Sequence, residues 1–314
     1  MEARAGCLVC PEKLIERYPI RDRNSSMTAW RVPLCALILI VGSTFRVQGH
    51  SFAPDTAYAE SEEDRLAREV EDPTAILTQL QFQDLYSPRN FQTSAQTNAI
   101  QLRPIVPIQA FSEFPFQQII RPTLKVQSLA TSSSSATITE FSDMELLDLF
   151  VSNWPNAKET GFGWGVGPTF VFPTGRDPAA GDHAWEVGPA IGAVYRGIPH
   201  LTVGFLFQNP ISFAYTNSSA KPKSYLEFQP RISYSLGRGW YVKSSDSTWT
   251  VNWRHHSSTT VPVSLGIGRV WKISGLELNP WVTGEWTAYR QYTKITPMYT
   301  VRFGLTLLFP DFVP

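Results

Sequence analysis

The sequence predicts an all-β protein: a transmembrane antiparallel up-and-down β-barrel of about 12 strands, preceded by a signal peptide and a short polar helix. Three observations predict it. Apolar and polar residues alternate with period two from about residue 76 onward, the last strand is long enough to cross a bilayer at a tilt, and the connections alternate between short and long.

Composition narrows the class first. Aromatic residues make up 13% of the chain, with 10 Trp, and charged residues only 17%. Soluble domains carry about 25% charged residues, and no run here reaches the roughly 18 apolar residues of a membrane helix. The formal charge of zero gives no sign of a nucleic-acid partner.

Residues 1–59 read as an N-terminal extension and signal peptide. Arg31 precedes the apolar stretch Val32 to Val41, and cleavage options follow at Gly49, Ala53 and Ala59, of which Ala57-x-Ala59 has the best small-x-small form. Met27 is an alternative start. Cys7, Cys10 and Cys35 all lie in this part, so the exported chain would hold no cysteine. Cys7-x-x-Cys10 lacks the second ligand pair of a zinc site and the βαβ context of a redox motif.

Next comes SEEDRLAREVEDP, residues 61–73, within a 60–75 segment read as a short periplasmic helix or linker. Ser61 with Asp64 makes a capping box and Pro73 ends the run. Its polar composition predicts a solvated helix ahead of the barrel at 76–310; residues 311–314 are a tail.

Strands are expected near 76–86, 95–109, 116–127, 143–154, 160–173, 184–197, 200–213, 223–236, 239–253, 260–273, 277–291 and 297–309. Trp164, Val166, Pro168, Phe170 and Phe172 alternate with Gly163, Gly165, Gly167, Thr169 and Val171. Leu226, Phe228, Pro230 and Ile232 face away from Glu227, Gln229, Arg231 and Ser233. Charged groups at mid-strand suit a barrel, apolar toward lipid and polar toward the lumen. The connections support this. FSEFP, GIP, GRG and SGLE alternate with SPRNFQTSAQT, SLATSSSSATITEF, TGRDPAAGDH and TNSSAKPK, as periplasmic turns alternate with external loops.

The chain closes on YTVRFGLTLLFPDFVP, residues 299–314. Tyr299, Val301, Phe303, Leu305, Leu307 and Phe309 form an unbroken apolar series. Ten steps give roughly 33 Å of strand, which at a tilt of about 40° spans roughly 25 Å, the height of a barrel's apolar band.

In order along the chain, EDPTAILTQLQFQ, LRPIVP, GWGVGPTFVFPTG, HAWEVGPA, QPRISYSLGRGWYV, VPVSLGIGRVWK and VRFGLTLLFP resemble a bacterial outer-membrane β-barrel family. That family is tied by name to the meta-cleavage pathway of phenol degradation, and its members are labelled "transporter" or, misleadingly, "neuromedin U". The resemblance covers roughly residues 64 to 310 and rests on glycines, prolines and aromatics. It implies the barrel fold, the outer membrane and a transport role, with outer-membrane lipids and the barrel-assembly machinery as partners and no catalytic residue. Arg302, Gly304, Leu307 and Phe309 resemble the terminal signal read by that machinery, although PDFVP follows the aromatic here.

By alternation, Arg103, Arg121, Lys125, Asp148, Glu186, Glu227, Arg231, Glu285 and Arg302 face the lumen. Such a set either lines a constriction that selects solutes or pairs across strands to fill the interior. A hairpin symmetric about residues 293 and 294 would place Glu285 opposite Arg302.

An enzymatic alternative rests on RHHSSTT, where His255 or His256 with Ser257 or Ser258 is similar to the His and Ser of outer-membrane lipid hydrolases. No orienting third group follows. No metal-ligand spacing occurs and no cofactor is expected; His50, His183 and His200 are scattered. The expectation is an outer-membrane passive channel for an unidentified small solute, with hydrophobic or aromatic compounds as candidates, and not an enzyme. The alternative is a structural or adhesive barrel without transport.

Overall fold

The computed structural model describes residues 61–131, 136–151, 161–218, 220–244, 246–254, 257–291, 293, 295–310 and 312. Residues 1–60, with the expected signal peptide and all three cysteines, lie outside the described residues, as do His255 and His256.

After helix α1 (Glu62–Glu69) come β1 (Thr78–Phe91), β2 (Thr97–Ile108), β3 (Gln117–Ala130), β4 (Thr137–Phe141), β5 (Met144–Val151), β6 (Phe162–Phe172), β7 (Ala184–Ile198) and β8 (Leu201–Gln208). Then follow β9 (Ile211–Tyr215), β10 (Tyr225–Gly237), β11 (Trp240–Ser244), β12 (Trp249–Asn252), β13 (Ser258–Arg269), β14 (Trp271–Ile273), β15 (Leu276–Gln291) and β16 (Thr296–Phe309). Each of the pairs β4 and β5, β8 and β9, β11 and β12, and β13 and β14 is one span with an interruption. At Pro210, between β8 and β9, the missing N–H accounts for the break. Twelve antiparallel spans result. β16 pairs with β1 from Phe309 opposite Thr78 to Thr296 opposite Phe91, which closes the barrel and leaves no open edge.

Two strand bounds depart from the sequence expectation. β1 runs to Phe91 rather than residue 86, and the fourth span starts at Thr137 rather than 143. Ladder pairing continues past the lipid band into water, where either face can be polar, so alternation stops marking the strand before the hydrogen bonds do.

The outer wall carries two aromatic girdles. Tyr86, Trp253, Trp286, Tyr289 and Tyr299 lie toward one rim, and Phe162, Tyr195, Tyr234, Trp240 and Trp271 toward the rim that holds the start of β1 and the end of β16. Between them Ile100, Leu124, Val166, Ile191, Leu265 and Phe303 are exposed. An apolar belt bounded by aromatics is the surface that a bilayer covers. No described helix is long and apolar enough to cross a membrane.

On the inner wall, aromatics cover cross-strand glycines. Trp281 sits opposite Gly304 and Tyr241 opposite Gly268. A Cβ on either glycine would collide with the facing ring. The glycines therefore let two large rings lie flat against the wall, which narrows the lumen without bending the strands.

Helix α1 is not the solvated linker that its composition suggested. Ser61 caps it, with Asp64 N donating to Ser61 Oγ at 3.2 Å. Leu66, Ala67 and Val70 lie on one side, at most 5% exposed, and pack with Ala75, Leu77, Tyr241, Val270 and Leu308. The last three belong to the inner wall near the terminal rim, so the helix closes that mouth of the barrel. Gly239 N donates to Asp64 Oδ1 at 2.8 Å, and Lys272 Nζ lies 3.1 Å from Glu62 Oε2, tying the helix to the rim turns. A polar majority hid a three-residue apolar stripe, enough to bury one side of a two-turn helix.

Candidate functional site in the barrel lumen

The chain from Val70 to Leu77 leaves the helix and enters the lumen. Lys243 Nζ, on β11, lies 2.9 Å from Glu71 Oε1 and 2.8 Å from Asp246 Oδ2, and 3.6 Å over the Trp281 ring. Arg196 Nη1, on β7, lies 2.9 Å from Asp72 Oδ2. Asp72 Oδ1 accepts from Thr74 N at 2.7 Å and from Thr74 Oγ1 at 2.8 Å. Burial pushes the Asp72 carboxyl up, while Arg196 and the Thr74 bonds pull it the other way. The segment is thus held to two separate strands of the wall, β7 and β11, by two acids that follow one another in sequence. Together α1 and residues 70–77 plug the barrel.

Along the lumen the inner wall changes character. Next to the plug it is apolar. Ile119 of β3, Leu147, Leu149 and Val151 of β5, Ala190 of β7 and Leu206 of β8 form one cluster, against which Ile76 of the plug and Ile105 of β2 pack. A polar or glycine-rich inner face was the expectation, and this patch departs from it. Arg103, Arg121 and Arg231, on β2, β3 and β10, also border the plug, around a cavity shared with Val70, Asp72, Pro73 and Ala75. Beyond them, toward the opposite rim, come Lys125, Glu145, Glu186 and Glu227. Gln208 Nε2 donates to Glu227 Oε2 at 3.3 Å, and Thr169 Oγ1 donates to Gln208 Oε1 at 3.3 Å. On the wall of β15 and β16, Arg302 Nη2 lies 3.0 Å from Glu285 Oε2, which also accepts from Ser247 Oγ at 2.8 Å.

Two sequence readings need correction. Asp148 points outward. On β5 the buried positions are Leu147, Leu149 and Val151, and Asp148 instead accepts two hydrogen bonds from Gln118 Nε2, at 2.8 and 2.9 Å, on the outer wall. MELLDLFV has apolar residues on both faces, because its inner face abuts the apolar cluster. With no polar face to mark the lumen, parity was misassigned, and Glu145 is the acid that faces inward. The second correction concerns register. Thr283 lies opposite Arg302, and Glu285 opposite Thr300, so the hairpin is slipped by two residues from the predicted symmetry. A two-residue slip keeps every side chain on its face. The two charges still meet, as a diagonal pair.

Arg302, Gly304, Leu307 and Phe309 all lie on β16, with Arg302 and Gly304 inward and Leu307 and Phe309 outward. Ser258 opens β13, and Ser257 has a positive φ of 52°. The sequence reading missed Glu71, Asp72, Lys243, Asp246 and Trp281. Two signals could have found some of them: the acid pair placed between a helix and the first strand, and a lysine alternating with Tyr241 on the inner face of a short strand.

Among the described residues no cluster of His, Cys, Asp and Glu could hold a metal ion. No family model matches the chain, and no curated protein matches it. Among solved structures it is similar to an outer membrane channel from Pseudomonas putida F1, with a TM-score of 0.54 and 11% identity over 74% of this chain and 94% of that one. Lower similarity extends to the NanC porin, with a TM-score of 0.46 and 8% identity over 73% of this chain and 98% of that one. The KdgM porin in complex with disordered oligogalacturonate gives a TM-score of 0.42 and 10% identity over 74% and 99%. These neighbours are outer-membrane channels and porin-like barrels, and at such identities the first likeness is one of fold: that of an outer-membrane β-barrel.

Proposed function

We propose that this chain is an outer-membrane channel that passes small solutes passively, with α1 and residues 70–77 as a displaceable plug. The observation that carries this reading is a closed barrel whose blockage is non-covalent and made by its own N-terminal segment. A barrel needed only as a structural element can fill its lumen with wall side chains; here a separate segment fills it. The sequence resemblance to the family tied to the phenol-degradation meta-pathway supports small hydrophobic or aromatic solutes. The apolar cluster beside the plug would give such solutes a contact surface once the plug withdraws. Catalysis forms no part of this reading.

Single-channel recording in planar bilayers tests it. The full chain should conduct in brief, infrequent events, and a variant lacking residues 61–73 should conduct steadily. Two barrels that migrate as folded, heat-modifiable species and yet never conduct would assign the protein a structural role instead.

A further inference from the structure

Between the plug and the level of Glu145, Glu186 and Glu227 lies a cavity in which Arg103, Arg121 and Arg231 converge from three strands, facing the apolar side chains of Ile105, Ile119 and Leu147. Each arginine is within electrostatic reach of the other two, so they repel one another. Arg121 and Arg231 are each only 8% exposed. Neither Arg121 Nε nor Arg231 Nε has a hydrogen-bond partner. Among the described residues, no carboxylate forms an ion pair with any of the three. Asp246, Glu145 and Glu227 offset part of the charge from a distance. The nearest polar contact from the plug is Glu71 O, 3.5 Å from Arg231 Nη1, at the outer limit of a hydrogen bond.

Buried guanidinium donors without acceptors are costly, and native structures supply acceptors to nearly all such groups. Two such donors, on Arg121 and Arg231, face one cavity and define a place for an anion, while Arg103 beside them already donates to the Gln101 side-chain oxygen. The chemistry of the rest of the wall narrows which anion. A guanidinium fork matches a planar carboxylate with two parallel hydrogen bonds. The facing isoleucines and leucine favour a ligand with an apolar body, which inorganic phosphate lacks.

We propose that Arg103, Arg121 and Arg231, with Ile105, Ile119 and Leu147, form a binding site for a small carboxylate bearing an apolar body. The proposal rests on the channel reading, since such a site lies on the path a solute would take. The cavity measures about 20 Å³, room for little more than a water, so the carboxylate is held by the arginines and its body reaches the apolar wall by pushing Ala75 and Pro73 of the plug aside. A solute seated there contacts the plug directly, before it can pass.

Equilibrium dialysis of radiolabelled benzoate against the refolded full chain tests the site. Wild-type protein should bind benzoate, with unlabelled benzoate competing and benzamide and phosphate failing to compete. Arg121→Gln and Arg231→Gln should each weaken binding about 10- to 100-fold, as expected for loss of a charge-assisted contact. Heat-modifiable migration on a gel shows which variants fold. Arg121→Lys keeps the charge but loses the fork, and should also weaken binding. Absence of benzoate binding, equal competition by benzamide or phosphate, or undiminished binding in the folded arginine variants overturns the site. Dialysis needs no conductance. A barrel that binds benzoate but never conducts sinks only the channel reading, and one that conducts without binding sinks only this site.

Discussion

Lys243 Nζ bridges Glu71 Oε1 of the plug and Asp246 Oδ2 of the wall while resting 3.6 Å over the Trp281 ring. The lysine side chain is 2% exposed and that of Glu71 5%. A buried pair of this kind is weak evidence for net stability, but removing one partner is costly; because Asp246 still pairs with Lys243, loss of Glu71 costs less than the about 3–5 kcal/mol of a charge left wholly unpaired. The cost here falls on the plugged state. An unseated plug would return Glu71 to water.

Glu71→Gln should therefore loosen the plug without unfolding the barrel. The expected outcome is a rise in open-channel events of about tenfold or more, since each 1.4 kcal/mol is a factor of about 10 in a two-state equilibrium. Bilayer recording measures it. An unchanged event frequency in a folded variant would show that the α1 contacts alone seat the plug.

The diagonal pair of Glu285 and Arg302 makes a different prediction. Both lie on the wall, so the pair concerns barrel stability and not the plug. A double-mutant cycle with Glu285→Gln and Arg302→Gln, read by urea unfolding, should give a coupling of about 0.5–3 kcal/mol, the range for contacting residues. Additive losses would mean that the pair carries no energy.

Trp281 and Gly304 offer a steric test. Gly304→Val places side-chain atoms where the Trp281 ring lies, so it should destabilise by about 1–3 kcal/mol as overpacking does. Trp281→Ala in the same chain should recover much of that loss by opening the space. A Gly304→Val protein as stable as the parent would mean that the ring moves aside freely, and Lys243 would then lose its contact with that ring.

Much of the architecture was legible before any coordinates. Strict alternation along Tyr299 to Phe309 marks one face for lipid, because a charged group on that face at mid-bilayer costs about 2–4 kcal/mol. The same constraint acts on every strand, so the spans and their order could be read off one by one. Glycine-rich inner faces such as Gly163, Gly165 and Gly167 were legible for the same reason. The assignment failed only where that contrast vanished, at MELLDLFV, whose inner side is as apolar as its outer side.

The sequence by itself determined the barrel, its twelve spans and the facing of most side chains, because contact with lipid penalises each misplaced residue locally. Only the tertiary structure decided what fills the barrel. Whether α1 floats in solvent or enters the mouth depends on Leu66, Ala67 and Val70 meeting Tyr241, Val270 and Leu308, residues far apart in sequence. Glu71 and Asp72 find Lys243 and Arg196 on separate strands, and three arginines share a cavity only once the sheet has closed. The two-residue register of the last hairpin belongs to this second class as well. Alternation distinguishes odd from even slips, but slips of two preserve every face, and the choice among them falls to contacts such as Trp281 over Gly304.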